Sequence, residues 1–371
     1  MSAQSRAVLV DGFGRVKAWR VGLVSASHHR PDEHSFLPIY SAYGDDHRGS
    51  LQQFYRGFGP QVQRMLGEMR HLVGTRLYLV ADGALLAAQI GCNTQQCPCC
   101  LRGPADYIPN PGPSPELWRA AGVRGVSVQG IGFVDPFSRP TSMWSGMDEF
   151  FPPERVVWAP NHCFAHAFSF FFDQCSDVLD RTLPGRSLTW LQEVSSASGV
   201  RNTGARPLGR GVKLSWEEAR HISRAQSNGR IPPSGHAMLD EYFERLVRMY
   251  DNWTHCISPR LFRVDAGLNR ALHLQLFNNH LKPSIHCLFD HLPAQWMANA
   301  DADPFFPHNV SEETGEKSHK AFKAAWMQSV MTVLAHHTAE NGLAEVMRAS
   351  MMSWLMPWFP RTLCLRDPAY V

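Results

Sequence analysis

The first hundred residues predict an α/β fold built on a mixed sheet, and three observations carry that prediction. Two β-rich runs, "RAVLVDG" and "VKAWRVGLVSA", are joined by Asp11-Gly12-Phe13-Gly14, a composition suited to a hairpin. A third run, "FLPIYSAYG", is closed by the polar "DDHRG". Leu51, Phe54, Tyr55, Phe58, Val62, Met65, Leu66, Met69 and Val73 then recur at helical spacing, ahead of a short apolar strand, "TRLYLVADG", and a short helix, "ALLAAQIG". The predicted order is β-β-β-α-β-α.

Each later element has its own signal. "PADYIPNPGPSP" is rich in Pro and Gly and reads as a loop. "VRGVSVQGIGFV" predicts a strand pair, and "RVVWAP" a strand leading into the helix "NHCFAHAFSFFF". From Ser187 to Pro233 the composition turns polar and Arg-rich and predicts an exposed insertion. Three helical stretches follow, "GHAMLDEYFERLVRMYDNWTHCI", "RALHLQLFNNHLKPSIHCLFDHLPAQW" and "SEETGEKSHKAFKAAWMQSVMTVLAHHTAENG". No internal repeat is visible.

The bulk composition narrows the class. A chain of 371 residues with 44% apolar and 19% charged content is an ordinary globular protein with enough length for a large core. The formal net charge of +3 permits a nucleic-acid partner without arguing for one, since a nucleic-acid footprint needs clustered Lys and Arg. Asp11 breaks the N-terminal apolar run, so no signal peptide is expected. "CFAHAFSFFFDQC" is too short for a bilayer span, so no membrane partner is expected either. Nine cysteines, unevenly spaced and without a leader, fit a reducing, intracellular compartment.

Four of those cysteines fall in "CNTQQCPCCL". Cys97 and Cys100 form a C-x-x-C pair, which is half of a tetrahedral zinc site. The best second half in the sequence is Cys163 and His166, three positions apart on a predicted helix and therefore on one face. Cys92, Cys99 and His162 are substitutes. The expected tetrad of Cys97, Cys100, Cys163 and His166 is closed, so its Zn²⁺ is structural. A thioredoxin-like redox pair, a disulfide knot and unligated thiols are the alternatives.

Four motifs in order resemble the catalytic core of a DDE-type transposase of the ribonuclease-H-like superfamily, closest in pattern to hAT-like elements and transposase-derived proteins. "VLVDGFGRVKAW" resembles the first-strand aspartate with its hairpin. "RLYLVADGALLAAQIGCNTQQCPCC" resembles the second aspartate with a short helix and a cysteine pair. "RVVWAPNHCFAHAF" resembles the [C/D]-x-x-H signature. "KPSIHCLFDHLPAQW" with "SEETGEKSHKAFK" resembles the late His-containing helix and the glutamate-bearing helix.

The resemblance implies a ribonuclease-H-like mixed sheet interrupted by a large, mostly helical insertion. Residues 1–103 would begin the core, 104–300 form a zinc-braced insertion, and 301–371 complete the core with C-terminal helices. It implies Asp11, Asp82 and Glu316 as catalytic acids that hold Mg²⁺ or Mn²⁺ for cleavage or transfer of DNA strands. DNA is the implied partner, self-association is compatible, and the location is nuclear in a eukaryote. Such enzymes usually place a DNA-binding domain before the core, whereas this core begins almost at Met1. Either that module is absent or the chain is a truncated or domesticated copy, and a transposase-derived zinc protein that binds without cutting is the alternative function.

Plainer readings stand beside these. Asp11 before Gly12 suits a turn, and Asp82 suits the N-cap of the "ALLAAQ" helix. Glu312 fits a capping box with Asn309, which leaves Glu313 and Glu316 as rival third acids. Glu316 is preferred because His319, Lys320 and Lys323 share its helical face. His286 and His291 read as satisfied helix histidines. Arg201, Arg206, Arg210 and Lys213 suit either a solvated loop or a DNA contact. No H-E-x-x-H motif marks a zinc hydrolase.

Overall fold

A computed structural model of the chain describes residues 4–13, 16–25, 36–43, 48–71, 75–107, 114–142, 149–200, 208–278 and 280–312. Its first elements follow the predicted order: β1 (Gln4–Phe13), β2 (Val16–Ser25), β3 (Phe36–Tyr43), α1 (Arg48–Arg70), β4 (Thr75–Ala81) and α2 (Gly83–Ile90). Two short elements, α3 (Pro115–Ala120) and the hairpin of β5 (Gly125–Val128) and β6 (Ile131–Val134), precede β7 (Val156–Trp158). Helices α4 (Pro160–Thr182), α5 (Arg186–Ser198), α6 (Trp216–Ser227), α7 (Ala237–Thr254) and α8 (Pro259–Leu276) follow. The described chain closes with α9 (Pro283–His286), a π-turn over Cys287–His291, α10 (Leu292–Asn299) and α11 (Phe306–Asn309). The protein is thus α/β, with helices dominating after β7.

The main sheet has the order β3-β2-β1-β4-β7. β1 pairs antiparallel with β2, and β2 with β3; β4 runs parallel to β1 on its other side, and β7 parallel to β4. Pro38 lies on the edge strand β3, where a missing N–H is tolerated, and the register shifts between Trp19 and Arg20 opposite it. In the centre, Leu77, Tyr78, Leu79, Val80 and Ala81 of β4 are all buried, as are Val156, Val157 and Trp158 of β7. A parallel strand covered on both faces requires such an unbroken apolar run.

The helical part is organised around α4. Phe164, Phe168, Phe170, Phe171 and Phe172 are all buried, so the helix is apolar nearly all round and must lie inside. Phe171 stacks on Phe243 of α7 with ring centroids 5.1 Å apart, and Phe172 lies 6.1 Å from Trp190 of α5. Towards the C-terminal end of α7, Trp253 meets Phe262 of α8 at 5.5 Å and Trp296 of α10 at 5.4 Å. Among the described residues, no helix is long and apolar enough to cross a membrane.

Two expectations are corrected. The stretch from Ser187 to Pro233 is not simply an exposed insertion. It supplies α5 and α6, which bury Trp190, Leu191, Val194 and Ile222, and the Trp190 indole donates to the Pro232 carbonyl at 2.8 Å. Arg224, Gln192 and Ser196 are among the residues that face outward while Ser187, Ser195 and Ser223 are buried with the apolar side chains, so average composition concealed two amphipathic helices. The predicted helix through "RALHLQLFNNHLKPSIHCLFDHLPAQW" is two helices, broken between Leu276 and Pro283, where Asn278 takes a left-handed φ of 50°. Arg201 and Arg206 lie outside the described residues. Arg210 pairs with Asp177.

Candidate functional site

Two places in the fold bring together the residues singled out by sequence. The first is the C-terminal edge of the central strands. β1 and β4 pair in parallel from Gln4↔Thr75 to Leu9↔Val80, and Asp11 and Asp82 each follow two residues beyond the last of these pairs. Neighbouring strands lie about 4.8 Å apart, so the two positions share one edge of the sheet. Asp11 belongs to β1 and is paired with Ala18 of β2, so the turn reading is set aside: the hairpin closes beyond it, after Phe13↔Val16.

Asp82 is also a helix cap. It has extended backbone (φ −67°, ψ 162°), and its Oδ1 accepts from Leu85 N at 2.6 Å, which satisfies one of the open amides at the start of α2. The next residue cannot carry a side chain. A Cβ on Gly83 would lie 2.0 Å from the indole of Trp158, which ends the neighbouring strand β7. The edge is therefore closely packed around the Asp82 backbone. Glu313 and Glu316 lie outside the described residues.

The second place is a cysteine–histidine cluster. Cys97, Cys100, His286 and His291 are buried, their ligand atoms all lie within 4.8 Å of one another, and the four could hold a metal ion such as zinc. Local geometry builds the thiol half. Leu101 N donates to Cys97 O at 2.7 Å and Cys100 N to the same carbonyl at 3.3 Å, so Cys97-Pro98-Cys99-Cys100 folds into a tight turn. Leu101 completes it at a φ of 61°, a left-handed conformation that strains any side chain by about 1 kcal/mol or more. The turn is fixed from outside by Trp118, whose indole donates to Cys100 O at 3.0 Å, and by Val134 N, which donates to Cys99 O at 2.8 Å.

The imidazole half depends on a defect in a helix. Residues five apart on a regular α-helix point about 140° away from each other. Between His286 and His291 the chain makes a π-turn, with Leu292 N donating to Cys287 O. A π-turn carries more residues per turn and brings positions i and i+5 to one face. Pro293 gives a chemical reason for it: with no N–H to offer the Phe289 carbonyl and a ring that crowds it, proline resists the regular ladder there. The two Nε2 atoms accordingly face each other at 3.1 Å, and Cys100 Sγ lies 3.4 Å from His286 Nε2.

Burial raises the Cys97 thiol well above its ordinary pKa and also raises that of Cys100. A metal ion is the partner that turns such buried thiols into thiolates.

Cys163 and His166 do not join this cluster. Cys163 is fully buried on α4 and makes its thiol contact with Cys287, whereas His166 is exposed. A three-residue step on α4 turns the chain by about 60°, which there separates the core from the surface. Cys99 is likewise buried and in thiol contact with Cys287 and Cys97. Glu312 is structural, as expected, but by another bond: its Oε1 accepts from His162 N at 2.9 Å and caps α4. Asn309 ends α11 and donates to Asp303, so the capping box is absent.

His286 and His291 were legible only as helix histidines, because their five-residue spacing matches no regular helix face. The one available signal was Pro293, two residues beyond His291. No protein-family model matches the sequence, and no curated protein matches it.

Proposed function

We propose that the chain is a metal-dependent DNA strand-cleaving or strand-transferring domain of the DDE transposase kind, with a ribonuclease-H-like core. The observation that supports this best is the sheet itself. An antiparallel meander of three strands is followed by a fourth strand parallel to the first, and Asp11 and Asp82 each come two residues after the last pair of that parallel ladder, which supports reading them as one site. Aspartate carboxylates are hard oxygen donors, the ligand type that Mg²⁺ and Mn²⁺ take, and two at one strand edge suit a pair of such ions. Glu316, or its rival Glu313, would be the third acid. Divalent ions held there would polarise a phosphodiester and stabilise the attacking and leaving oxygens. On this reading the chain would contribute fixed positions: the β1–β4 ladder just before the two aspartates would relate them, and the α2 cap fixes the rotamer of Asp82.

A second reading has one observation in its favour. The Asp82 carboxylate already has a structural duty at Leu85 N, as it would in a transposase-derived protein that binds DNA or protein and no longer cuts.

Supercoiled plasmid incubated with the purified chain and Mg²⁺ or Mn²⁺ separates the two. Asparagine caps helices as well as aspartate does, so Asp82→Asn keeps α2 while removing a metal ligand. Nicking by the wild type that disappears in Asp82→Asn, at unchanged thermal stability, supports the enzyme. DNA binding without nicking by the wild type supports the second reading.

A further inference from the structure

The cysteine–histidine cluster stands apart from the strand-cutting reading and carries its own conclusion. We propose that Cys97, Cys100, His286 and His291 form a closed, tetrahedral zinc centre of two sulfurs and two nitrogens, with Asp290 as its positioning carboxylate. The centre fastens the loop after α2 to a helix 186 residues further along the chain.

The distances suit zinc. With Zn–N near 2.05 Å and Zn–S near 2.3 Å, a tetrahedral ion separates two nitrogens by about 3.3 Å and a sulfur from a nitrogen by about 3.5 Å. The observed separations are 3.1 Å between the imidazole Nε2 atoms and 3.4 Å between Cys100 Sγ and His286 Nε2. Four protein ligands leave no position for water or substrate, so the ion is structural.

The surroundings orient His286 as a metal requires. His286 Nδ1 lies 2.7 Å from Asp290 Oδ2, so the ring N–H is directed to the carboxylate and the Nε2 lone pair to the centre. Asp290 is held in turn by Arg270 of α8, whose Nε donates to the same oxygen at 3.2 Å. Arg270 also donates to the Tyr107 carbonyl, and the Tyr107 ring stacks on His286 at 4.1 Å. The Tyr107 hydroxyl donates to Arg102 O at 2.9 Å, at the end of the cysteine turn, so both halves of the centre belong to one bonded ring. Phe133 packs edge-on against His291 at 4.7 Å and closes the apolar wall.

The test is the zinc content and zinc K-edge X-ray absorption of the full chain, purified from zinc-supplemented cells. One zinc per chain, with a shell of two sulfurs and two nitrogens, is expected. Asp290→Asn should keep that shell and weaken zinc about 10- to 100-fold in competition with a chromogenic chelator. A chain free of zinc overturns the proposal. So does a shell of three sulfurs and one nitrogen, which would bring in Cys163 and His166, or an Asp290→Asn variant that binds zinc as tightly as the wild type. None of these readouts involves DNA cleavage, so the zinc centre and the strand-cutting reading fail separately.

Discussion

The strand edge and the cysteine–histidine cluster organise their residues in opposite ways. At the edge, Asp11 and Asp82 each follow by two residues a ladder of six residue pairs between β1 and β4, so strand register is what relates the two positions. At the cluster, side chains from a strained turn and a widened helix converge across 186 residues, and no ladder connects them. The first arrangement tolerates side-chain changes but depends on register. The second depends on a few individual side chains and on one proline. On the proposals above, the first site would rest on strand register, whereas the second would be held together by its ion.

The largest effect expected from this contrast is on catalysis. Asp82→Asn should lower metal-dependent nicking of plasmid by about a thousandfold, the loss that follows removal of a group needed in the transition state. Thermal unfolding of the same variant should stay within about 0.5 kcal/mol of the wild type, because the Leu85 cap survives. A variant that melts early yet still nicks would make Asp82 a cap and nothing more.

Metal removal should come next. If zinc is present at a thousand times its Kd, stripping it destabilises the chain by about 4 kcal/mol. Dialysis against a strong chelator, followed by chemical denaturation, measures that loss. Cys100→Ser should abolish the difference between chelated and zinc-loaded protein. Pro293→Ala is expected to be subtler: a restored N–H lets the helix regularise, the two imidazoles turn apart, and zinc affinity falls at least about tenfold.

The smallest effect tests packing at the edge. Gly83→Ala sets a methyl group into the Trp158 indole and should cost about 1–3 kcal/mol, whereas Gly67→Ala in α1 meets no atom within 4 Å and should be neutral or stabilising by up to about 1 kcal/mol. Paired denaturation curves check both.

The same contrast explains what the sequence disclosed. The elements through α2 were legible because each has a local signature: β-rich runs in the strands, helical spacing of Val62, Leu66 and Met69, and Asp82-Gly83 at a strand-to-helix junction. The cysteine turn was legible for the same reason. Its neighbours in the fold were not, since Cys163 and His166 matched a regular helix face, whereas the pair found beside the thiols, His286 and His291, matches only a π-turn. Helices α5 and α6 escaped because Arg- and Ser-rich outer faces outweighed Trp190 and Ile222 in the average. Glu312 was read as a local cap, yet it caps α4 from 150 residues away. Long-range pairing of this kind leaves no mark on neighbouring residues.

The measurement closest to the central claim is Mn²⁺ binding and plasmid nicking by Asp11→Asn, Asp82→Asn and the double variant, side by side. If the two aspartates hold metal as one site, each single change should remove the tight Mn²⁺ and the nicking, and the double variant should be no worse than either. Losses that simply add, or Mn²⁺ binding untouched by both changes, would show that Asp11 and Asp82 share a sheet edge without sharing a function.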